Sequence, residues 1–464
     1  MVFDRPWEGN ECGEFTCLRD NGLYRIYYRA SNASRDEQGN IVKRSPMYTC
    51  YAESRDGISW TRPSLGLFEA AGTRDNNVIL TQQHGRRVEL NFSPFVDTGP
   101  RVPPEERYKG IGGMTGMVFA LVSPDGINWR KLVEEPVIEG YDAHNLAFWD
   151  MDRGEYRSYS RHRRIAAYQA GMDELGDAPL KTDDLTGLTE DGRDNGRDII
   201  TSTSKDFIHW TKPEFLSYSP GRVNELYENH VLPYYRAPHF LLCFPTRYID
   251  RGWTAAAEAL PQLEHRRKRS GGDPREGTAL TDCMLMSSRD RIHFSIWPES
   301  FIRPGLRLKD NWFYGDNYVA WGMIETASPI IGAPDELSLF ATEAYYQPGP
   351  VRLRRFTIRV DGFVSVCAPL SGGELLTRPL VFSGSELVMN YSTSAAGSVQ
   401  VELQDAQGVP LPGFALADSE VMYGDSLEQP MLWRGTPDLG ALAGTPVRLR
   451  FVLKDADLFS LRFR

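Results

Sequence analysis

The sequence lacks long apolar runs and any regular spacing of cysteines. Its 464 residues include only 6 Cys, and none of them form the Cys-x-x-Cys spacing of a zinc or redox site. We therefore expect buried, reduced thiols and no metal centre. No apolar stretch approaches the roughly 20 residues that a membrane-spanning helix needs. What remains is an ordinary globular composition, with 41% hydrophobic and 25% charged residues.

Basic residues are also fewer than acidic residues. The chain has 52 Lys and Arg against 62 Asp and Glu, a formal net charge of −10. This balance argues against nucleic acid or an anionic membrane as a partner. Residues 1–7 do not resemble a secretory signal. We expect a cytoplasmic protein as the chain is written, or a periplasmic or secreted one if a leader has been removed.

The sequence does contain a short motif that recurs. Residues 54–60 read Ser-Arg-Asp-Gly-Ile-Ser-Trp, and close copies occupy residues 123–129, 204–210 and 288–294, with a less complete copy at 359–363. Asp-Gly supplies the positive φ that a tight hairpin needs. A hairpin corner that recurs every roughly 70 to 85 residues is typical of propeller blades, each a sheet of about four strands. The sequence therefore predicts an all-β protein built on a five-bladed β-propeller.

The blade pattern stops around residues 371–373. Closely spaced alternating segments follow, such as residues 398–403 and 447–451, separated by turns rich in Gly, Pro and Asp. This pattern favours a β-sandwich. We assign residues 1–370 to the propeller, as the predicted catalytic domain, and residues 371–464 to an accessory sandwich.

Acidic residues occur near the predicted first strand of several blades. These strands line the central channel of a propeller, so the residues that start them converge on one funnel. The acids concerned are Glu8, Glu11, Glu14, Asp142, Glu225, Glu228 and Asp316. Two facing carboxylates suffice for glycoside hydrolysis, because one protonates the leaving oxygen while the other activates water or attacks carbon. Each acid taken singly is better explained as a surface carboxylate, and the joint placement favours Asp142, Glu225 and Glu228.

Other polar side chains recur at the same level. The candidates for substrate binding are Asn91, Asn145, Asn229, Asn317, Arg236, His239, Arg247 and Glu343. A ring of asparagines can hydrogen-bond to sugar hydroxyls, or equally well satisfy backbone groups at strand ends. The arginines either hold a catalytic carboxylate or bridge neighbouring blades. His144 and His230 lie beside two of the asparagines, but their spacing does not indicate a metal site.

The chain resembles the five-bladed propeller glycosidases of glycoside hydrolase families 43 and 32. It looks closest to a bacterial group labelled family 32 N-terminal-like. The resemblance lies in residues 6–10, 91–95, 142–149, 236–239 and 390–398 and in the Ser-x-Asp-Gly corners. It implies a carbohydrate-active enzyme of polysaccharide degradation.

The resemblance also implies roles for individual acids. Glu14 falls where the blade-one acid is expected, Asp142 where the modulator is expected, and Glu225 or Glu228 where the proton donor is expected. The Asp-Pro and Asn-Asp-Pro-Asn motifs of the two families are missing from blade one. Glu8 therefore stays a rival to Glu14.

These observations together predict a glycoside hydrolase that acts on an oligo- or polysaccharide. An exo-acting enzyme on a furanoside, similar to an arabinofuranosidase or fructosidase, is the specific form we expect. The alternatives are a non-catalytic carbohydrate-binding propeller and a glycoside phosphorylase on the same fold. We expect a carbohydrate partner and no cofactor. A structural cation in the channel, the oligomeric state and the choice between retention and inversion are left open.

Overall fold

The computed structural model describes residues 1–84, 87–114, 116–138, 140, 143–164, 196–221, 224–435 and 437–464. Strands dominate them, so the all-β prediction is confirmed, and the two α-helices are α1 (Ala255–Glu258) and α2 (Leu263–Gly272). The chain divides into one compact unit of residues 1–324 and 338–356, and a second of residues 325–337 and 357–464. In the described part of the chain, no helix has the length and apolarity needed to cross a membrane.

The first compact unit begins with a four-stranded sheet and a small hairpin. The strands are β1 (Gly13–Asp20), β2 (Leu23–Ala30), β3 (Ala33–Arg35), β4 (Ile41–Arg44), β5 (Tyr48–Ser54) and β6 (Val78–Leu80). The sheet has the order β1-β2-β5-β6, while β3 and β4 pair with each other. Asn21 and Gly22 join β1 to β2 with φ angles of 48° and 76°, the left-handed pair that a two-residue hairpin requires.

Two further four-stranded sheets follow along the chain. The strands are β7 (Ser93–Val96), β8 (Tyr108–Met114), β9 (Met117–Ser123), β10 (Arg130–Lys131), β11 (Leu146–Asp150), β12 (Glu155–Arg164), β13 (Gly196–Ser204) and β14 (Glu214–Phe215). Their orders are β10-β9-β8-β7 and β11-β12-β13-β14. In each of the first three sheets, strands that are consecutive in the sheet pair as antiparallel neighbours.

The remaining strands form a seven-stranded, a three-stranded and a five-stranded sheet. The seven-stranded sheet contains β15 (Ser217–Ser219), β16 (Glu225–Leu226), β17 (Val231–Tyr234), β18 (Ala237–Cys243), β19 (Thr246–Asp250), β20 (Ala279–Ser288) and β21 (His293–Ile302). The three-stranded sheet contains β22 (Ile324–Thr326), β23 (Glu336–Glu343) and β24 (Arg352–Arg359). The last sheet contains β25 (Val366–Ala368), β26 (Gly373–Leu376), β27 (Leu387–Asp405), β28 (Asp425–Pro430) and β29 (Val447–Phe463). The number of blades, the sandwich and the boundary at residue 370 stay predictions.

The four clear copies of the repeated motif form the same hydrogen-bonded corner. In the first copy, Ser54 Oγ accepts a hydrogen bond from the backbone N–H of Gly57 at 2.8 Å. Asp56 Oδ1 accepts from the N–H groups of Ile58 at 2.8 Å and Ser59 at 2.7 Å. The equivalent contacts recur in residues 123–128, 204–209 and 288–293. Local side chains thus satisfy the backbone donors that a strand leaves unpaired where it ends.

The copy at residues 359–363 does not form this corner. Arg359 stands where the other copies have serine, and the positive φ of 58° falls on Asp361. The side chain of Asp361 instead accepts a hydrogen bond from Ser460 Oγ at 2.9 Å. The sequence pattern therefore overstates the likeness of this segment to the other four.

One residue of each corner has a left-handed backbone, and in the last three corners this residue packs on the preceding sheet. This residue is Gly57, Gly126, Phe207 or Arg291, with φ between 67° and 81°. A Cβ added at Gly126 would lie 2.6 Å from the Tyr27 hydroxyl of the first sheet. The ring of Phe207 lies 5.7 Å from that of Phe95, and Arg291 donates to Asp150 at 2.7 Å. The corners thus contribute to the joins between sheets.

We expect Gly126→Ala to destabilise the protein more than Gly22→Ala. Both residues have φ near 77°, so both alanines carry about 1 kcal/mol of backbone strain. Nothing lies within 4 Å of a Cβ built at Gly22. At Gly126 the clash with Tyr27 should add about 1–3 kcal/mol. Urea unfolding of the two variants measures the difference, and equal losses would contradict the packing role of this corner.

Candidate active site

A cavity of about 730 Å³ gathers polar and aromatic side chains of the first compact unit. Among the described residues, its charged and aromatic lining consists of Glu11, Glu14, Glu89, Glu228, Arg29, Arg44, Arg87, Tyr227, Tyr314, Tyr318, Tyr345 and Tyr346. Residues far apart in sequence meet here because the ends of several strands converge on the cavity. Its size is typical of sites that hold small ligands.

Glu14 and Glu228 both line this cavity, and His144 lies between them. The backbone N–H of His144 donates to Glu228 Oε2 at 3.0 Å. The Nδ1 atom of the same residue lies 3.8 Å from Glu14 Oε2. Glu14 also has a left-handed backbone, with φ of 53°. Such a conformation is costly for a glutamate and tends to occur at functional sites.

The His144 imidazole is neutral. Burial lowers its pKa well below the usual value, and the neighbouring His230 lowers it further. His230 Nε2 lies 3.4 Å from His144 Nδ1, and burial lowers the pKa of His230 to about 3. The positive charge beside Glu14 therefore comes from Arg29, whose Nη1 atom lies 3.6 Å from Glu14 Oε1.

Hydrogen bonds hold Arg29 in place. Its Nη1 donates to Asn91 Oδ1 at 3.2 Å and its Nη2 donates to the Tyr345 hydroxyl at 2.8 Å. Asn91 has a left-handed backbone, with φ of 52°, and lines the cavity. Asn91 thus positions the arginine that balances Glu14, which is an indirect version of the predicted binding role.

Glu89 is a cavity carboxyl that sequence reasoning missed as a functional candidate. The residue is only 1% exposed, and burial raises the pKa of its carboxyl. Among the described residues, its Oε2 atom has no hydrogen-bond partner. In the sequence, only its position two residues before Asn91 and shortly before β7 pointed to such a role.

Five tyrosines form one continuous aromatic wall of the cavity. The rings of Tyr227 and Tyr318 stack with centroids 5.6 Å apart, and Tyr314 contacts both rings. Tyr345 continues the wall from Tyr318 at 6.0 Å, and Tyr346 follows at 4.4 Å. The faces of such rings can stack on the apolar face of a sugar. The five residues are scattered along the sequence and meet only in the folded chain.

Two of the predicted catalytic acids lie in other surroundings. Glu8 is buried with Arg62, whose Nε lies 2.9 Å from Glu8 Oε1, and burial raises the pKa of its carboxyl. Glu225 accepts hydrogen bonds from the side chain and backbone of Arg197 at 2.5 and 3.2 Å. Neither acid lines the cavity. Asp142 lies outside the described residues.

Three of the four predicted asparagines bond to the backbone instead of lining the cavity. Their Nδ2 atoms donate to carbonyl oxygens, from Asn145 to Ala143 at 3.1 Å, from Asn229 to His144 at 3.4 Å and from Asn317 to Thr281 at 3.4 Å. The strand-end alternative therefore describes these three residues. In the described part of the chain, no group of three or more His, Cys, Asp and Glu is arranged to hold a metal ion.

The other predicted binding residues also lie away from the cavity lining. Arg247 forms a two-point ion pair with Asp282 at 2.8 and 2.5 Å. Arg236 lies in the turn between β17 and β18, and the exposed His239 lies in β18. Glu343 pairs with Arg354 at 2.7 Å. The sequence order placed these residues near channel-lining strands, but their side chains face other partners.

Comparisons with known proteins give distant structural likenesses. An endo-arabinase from Bacteroides thetaiotaomicron is 9% identical with a TM-score of 0.41, over 77% of this chain and 99% of that chain. The β-xylosidase RS223 is 11% identical with a TM-score of 0.42, over 76% and 94%. A protein of the GH130 family of mannoside phosphorylases, which contains glycoside hydrolases, is 14% identical with a TM-score of 0.38, over 75% and 85%.

No protein-family model matches the chain, and no curated protein sequence matches it. The three TM-scores above are below 0.5. These likenesses therefore carry no functional assignment.

We expect Glu8→Gln to lower stability and Glu14→Gln to leave it nearly unchanged. The first change leaves the guanidinium of Arg62 without its buried carboxylate, which should cost about 3 kcal/mol. The second acts at a cavity wall, where Arg29 keeps its bonds to Asn91 and Tyr345. Chemical unfolding of both variants measures the two losses. A larger loss for Glu14→Gln would reverse this assignment of roles.

Asp316 should make stability fall as pH rises. Burial raises its pKa to about 7 from 3.8, although the N–H groups of Phe313 and Ala344 donate to it at 2.9 and 3.0 Å. Below the unfolded pKa both states are protonated and the group costs nothing; above the folded pKa the buried charge costs its full amount. The wild type should therefore lose about 2–4 kcal/mol relative to Asp316→Asn between pH 4 and 8. Parallel pH profiles of the two urea midpoints would contradict this prediction.

Proposed function

We propose that this protein is a glycoside hydrolase that acts on an oligo- or polysaccharide, with Glu14 and Glu228 as its carboxylate pair. The observation that carries the proposal is their joint placement on one cavity, where His144 contacts both side chains. The proposed scaffold is a five-bladed propeller of residues 1–370 with an accessory sandwich of residues 371–464. In such a scaffold, acids from different blades meet at one mouth.

The surroundings of the two carboxyls support different roles. Arg29 lies 3.6 Å from Glu14 and balances an ionised carboxylate, as a base or nucleophile requires. Glu228 is only 2% exposed and is the proposed proton donor to the leaving oxygen. Its bond from the His144 N–H fixes the orientation of the carboxyl. Asp142 remains our proposed modulator on the strength of the family resemblance.

The aromatic wall supports a sugar as the ligand. Tyr227, Tyr314 and Tyr346 are partly exposed, so their rings are available to stack on a sugar ring. The carboxylates supply hydrogen-bond acceptors for sugar hydroxyl groups, and Arg29 supplies donors. We propose a furanoside at the end of an oligosaccharide as the substrate. The same wall would also serve a carbohydrate-binding protein without catalysis, and the experiment below separates the two.

A screen on aryl furanosides and aryl pyranosides tests the proposal. We expect turnover of at least one substrate class, and we expect Glu14→Gln and Glu228→Gln each to lower kcat about a thousandfold, because each removes an acid–base or nucleophilic group. Circular dichroism and Tm should show that both variants are folded.

Glu343→Gln is the matched control, since Glu343 is an ion-paired glutamate outside the cavity lining. It should retain wild-type turnover. Substrate binding without turnover in the wild type would identify a carbohydrate-binding protein. Full activity in Glu14→Gln or Glu228→Gln would remove that residue from the catalytic pair.

A further inference from the structure

Two of the three arginines among the described cavity residues pair with a glutamate of the same cavity. Arg29 lies 3.6 Å from Glu14, and Arg44 pairs with Glu11. The third arginine, Arg87, is exposed. The guanidinium groups of Arg29 and Arg44 are thus matched by carboxylates, so they attract a further anion less strongly than unpaired cations would.

The Glu11–Arg44 pair has two short contacts, whereas the Arg29–Glu14 pair has one long contact. Arg44 Nε donates to Glu11 Oε2 at 2.8 Å, and Arg44 Nη2 lies 2.7 Å from Glu11 Oε1. This two-point geometry is the one that arginine also uses to bind phosphate or a sugar carboxylate. Ser31 Oγ donates to Glu11 Oε2 at 3.0 Å, and the Tyr346 hydroxyl donates to Glu11 Oε1. Glu11 is therefore held in place from both sides.

The two partners differ in exposure. The Glu11 side chain is 2% exposed, whereas that of Arg44 is 40% exposed. The guanidinium thus stands at the accessible side of the cavity, while its charge is matched from behind by a buried carboxylate. Without Glu11, the same guanidinium would be the natural docking point for an anionic ligand.

We propose that Glu11 is a specificity-determining residue that holds Arg44 in an ion pair and thereby keeps anions out of the cavity. The substrate is then a neutral sugar, and the acceptor is water instead of phosphate. This inference rests on the proposed function for its statement about the acceptor. Its statement about anion binding concerns the cavity alone.

The chemistry of hydrolysis fits this charge arrangement. The glycosidic C–O bond breaks, its oxygen takes a proton from Glu228, and the anomeric carbon forms a bond to the oxygen of water. If water attacks the substrate directly, its proton goes to Glu14. If Glu14 first forms a glycosyl-enzyme intermediate, the proton of the attacking water goes to Glu228, which has lost its own proton, and Glu14 is released as a carboxylate. Phosphorolysis would bring a phosphate dianion next to the Glu14 carboxylate, where like charges oppose its binding.

Titration with inorganic phosphate tests the proposal. The wild type should show no Tm increase beyond that given by sodium chloride at equal ionic strength. Glu11→Gln frees the guanidinium of Arg44 and should bind phosphate about 10- to 100-fold more tightly, the range expected for hydrogen bonds to a charged group. In Glu11→Gln/Arg44→Gln this gain should disappear. The double variant shows whether Arg44 is the source of the gain.

Glu343→Gln is the control for a released arginine elsewhere, because Glu343 pairs with Arg354 outside the cavity lining. It should gain no phosphate affinity. If Glu11→Gln fails to fold, Glu11→Asp shortens the carboxylate side chain and weakens its contact with Arg44, so it should change phosphate binding in the same direction.

Two results would overturn the proposal: phosphate binding by the wild type as tight as by the variant, or no gain in either folded variant. Both results concern phosphate binding, so they do not test the hydrolase assignment. If the protein cleaves no aryl glycoside, the hydrolase assignment is wrong, but the exclusion of anions by Glu11 is not affected. If cleavage requires phosphate and yields a sugar phosphate, water is not the acceptor, but the roles of Glu14 and Glu228 are not affected.

Discussion

The structure of the first compact unit depends on a small set of hydrogen bonds at the corners of its sheets. A serine and an aspartate two residues apart accept the backbone N–H groups that a strand end exposes. Because these donors are satisfied locally, the chain can reverse without help from distant residues. The same network occurs at four places, and each has one residue with a left-handed backbone. At three of these places, that residue packs on an earlier sheet.

The cavity is a product of this arrangement and of charge pairing. Strand ends bring together Glu14, Arg29, Asn91 and Glu228. The first and last of these residues are more than two hundred positions apart in the sequence. Arg29 and Arg44 each pair with a glutamate of the cavity, and this pairing lowers the cost of burying the two carboxylates. His144 contributes geometry without charge, because burial keeps its imidazole neutral. The site therefore combines ionised carboxylates with neutral positioning groups.

Much of the architecture could be predicted from local sequence. The all-β class and the four corners follow from patterns within seven residues, since turn chemistry is decided by neighbours. The placement of Glu14, Glu228 and Asn91 on one cavity agrees with their positions near the starts of strands. Their catalytic and binding roles stay predictions.

Other features depend on which side chains meet across sheets, and the sequence could not supply them. Asn145, Asn229 and Asn317 have the same local setting as Asn91, yet they bond to nearby carbonyls. Glu8 and Glu14 are rival candidates from the sequence, but only the structure shows that Arg62 holds Glu8. The tyrosine wall extends to Tyr346, whose hydroxyl donates to Glu11 near the opposite end of the first compact unit. The left-handed corner position accepts glycine, phenylalanine and arginine without a change in the turn. The contacts between neighbouring sheets can therefore differ from one corner to the next, while the backbone that supports the cavity keeps the same conformation.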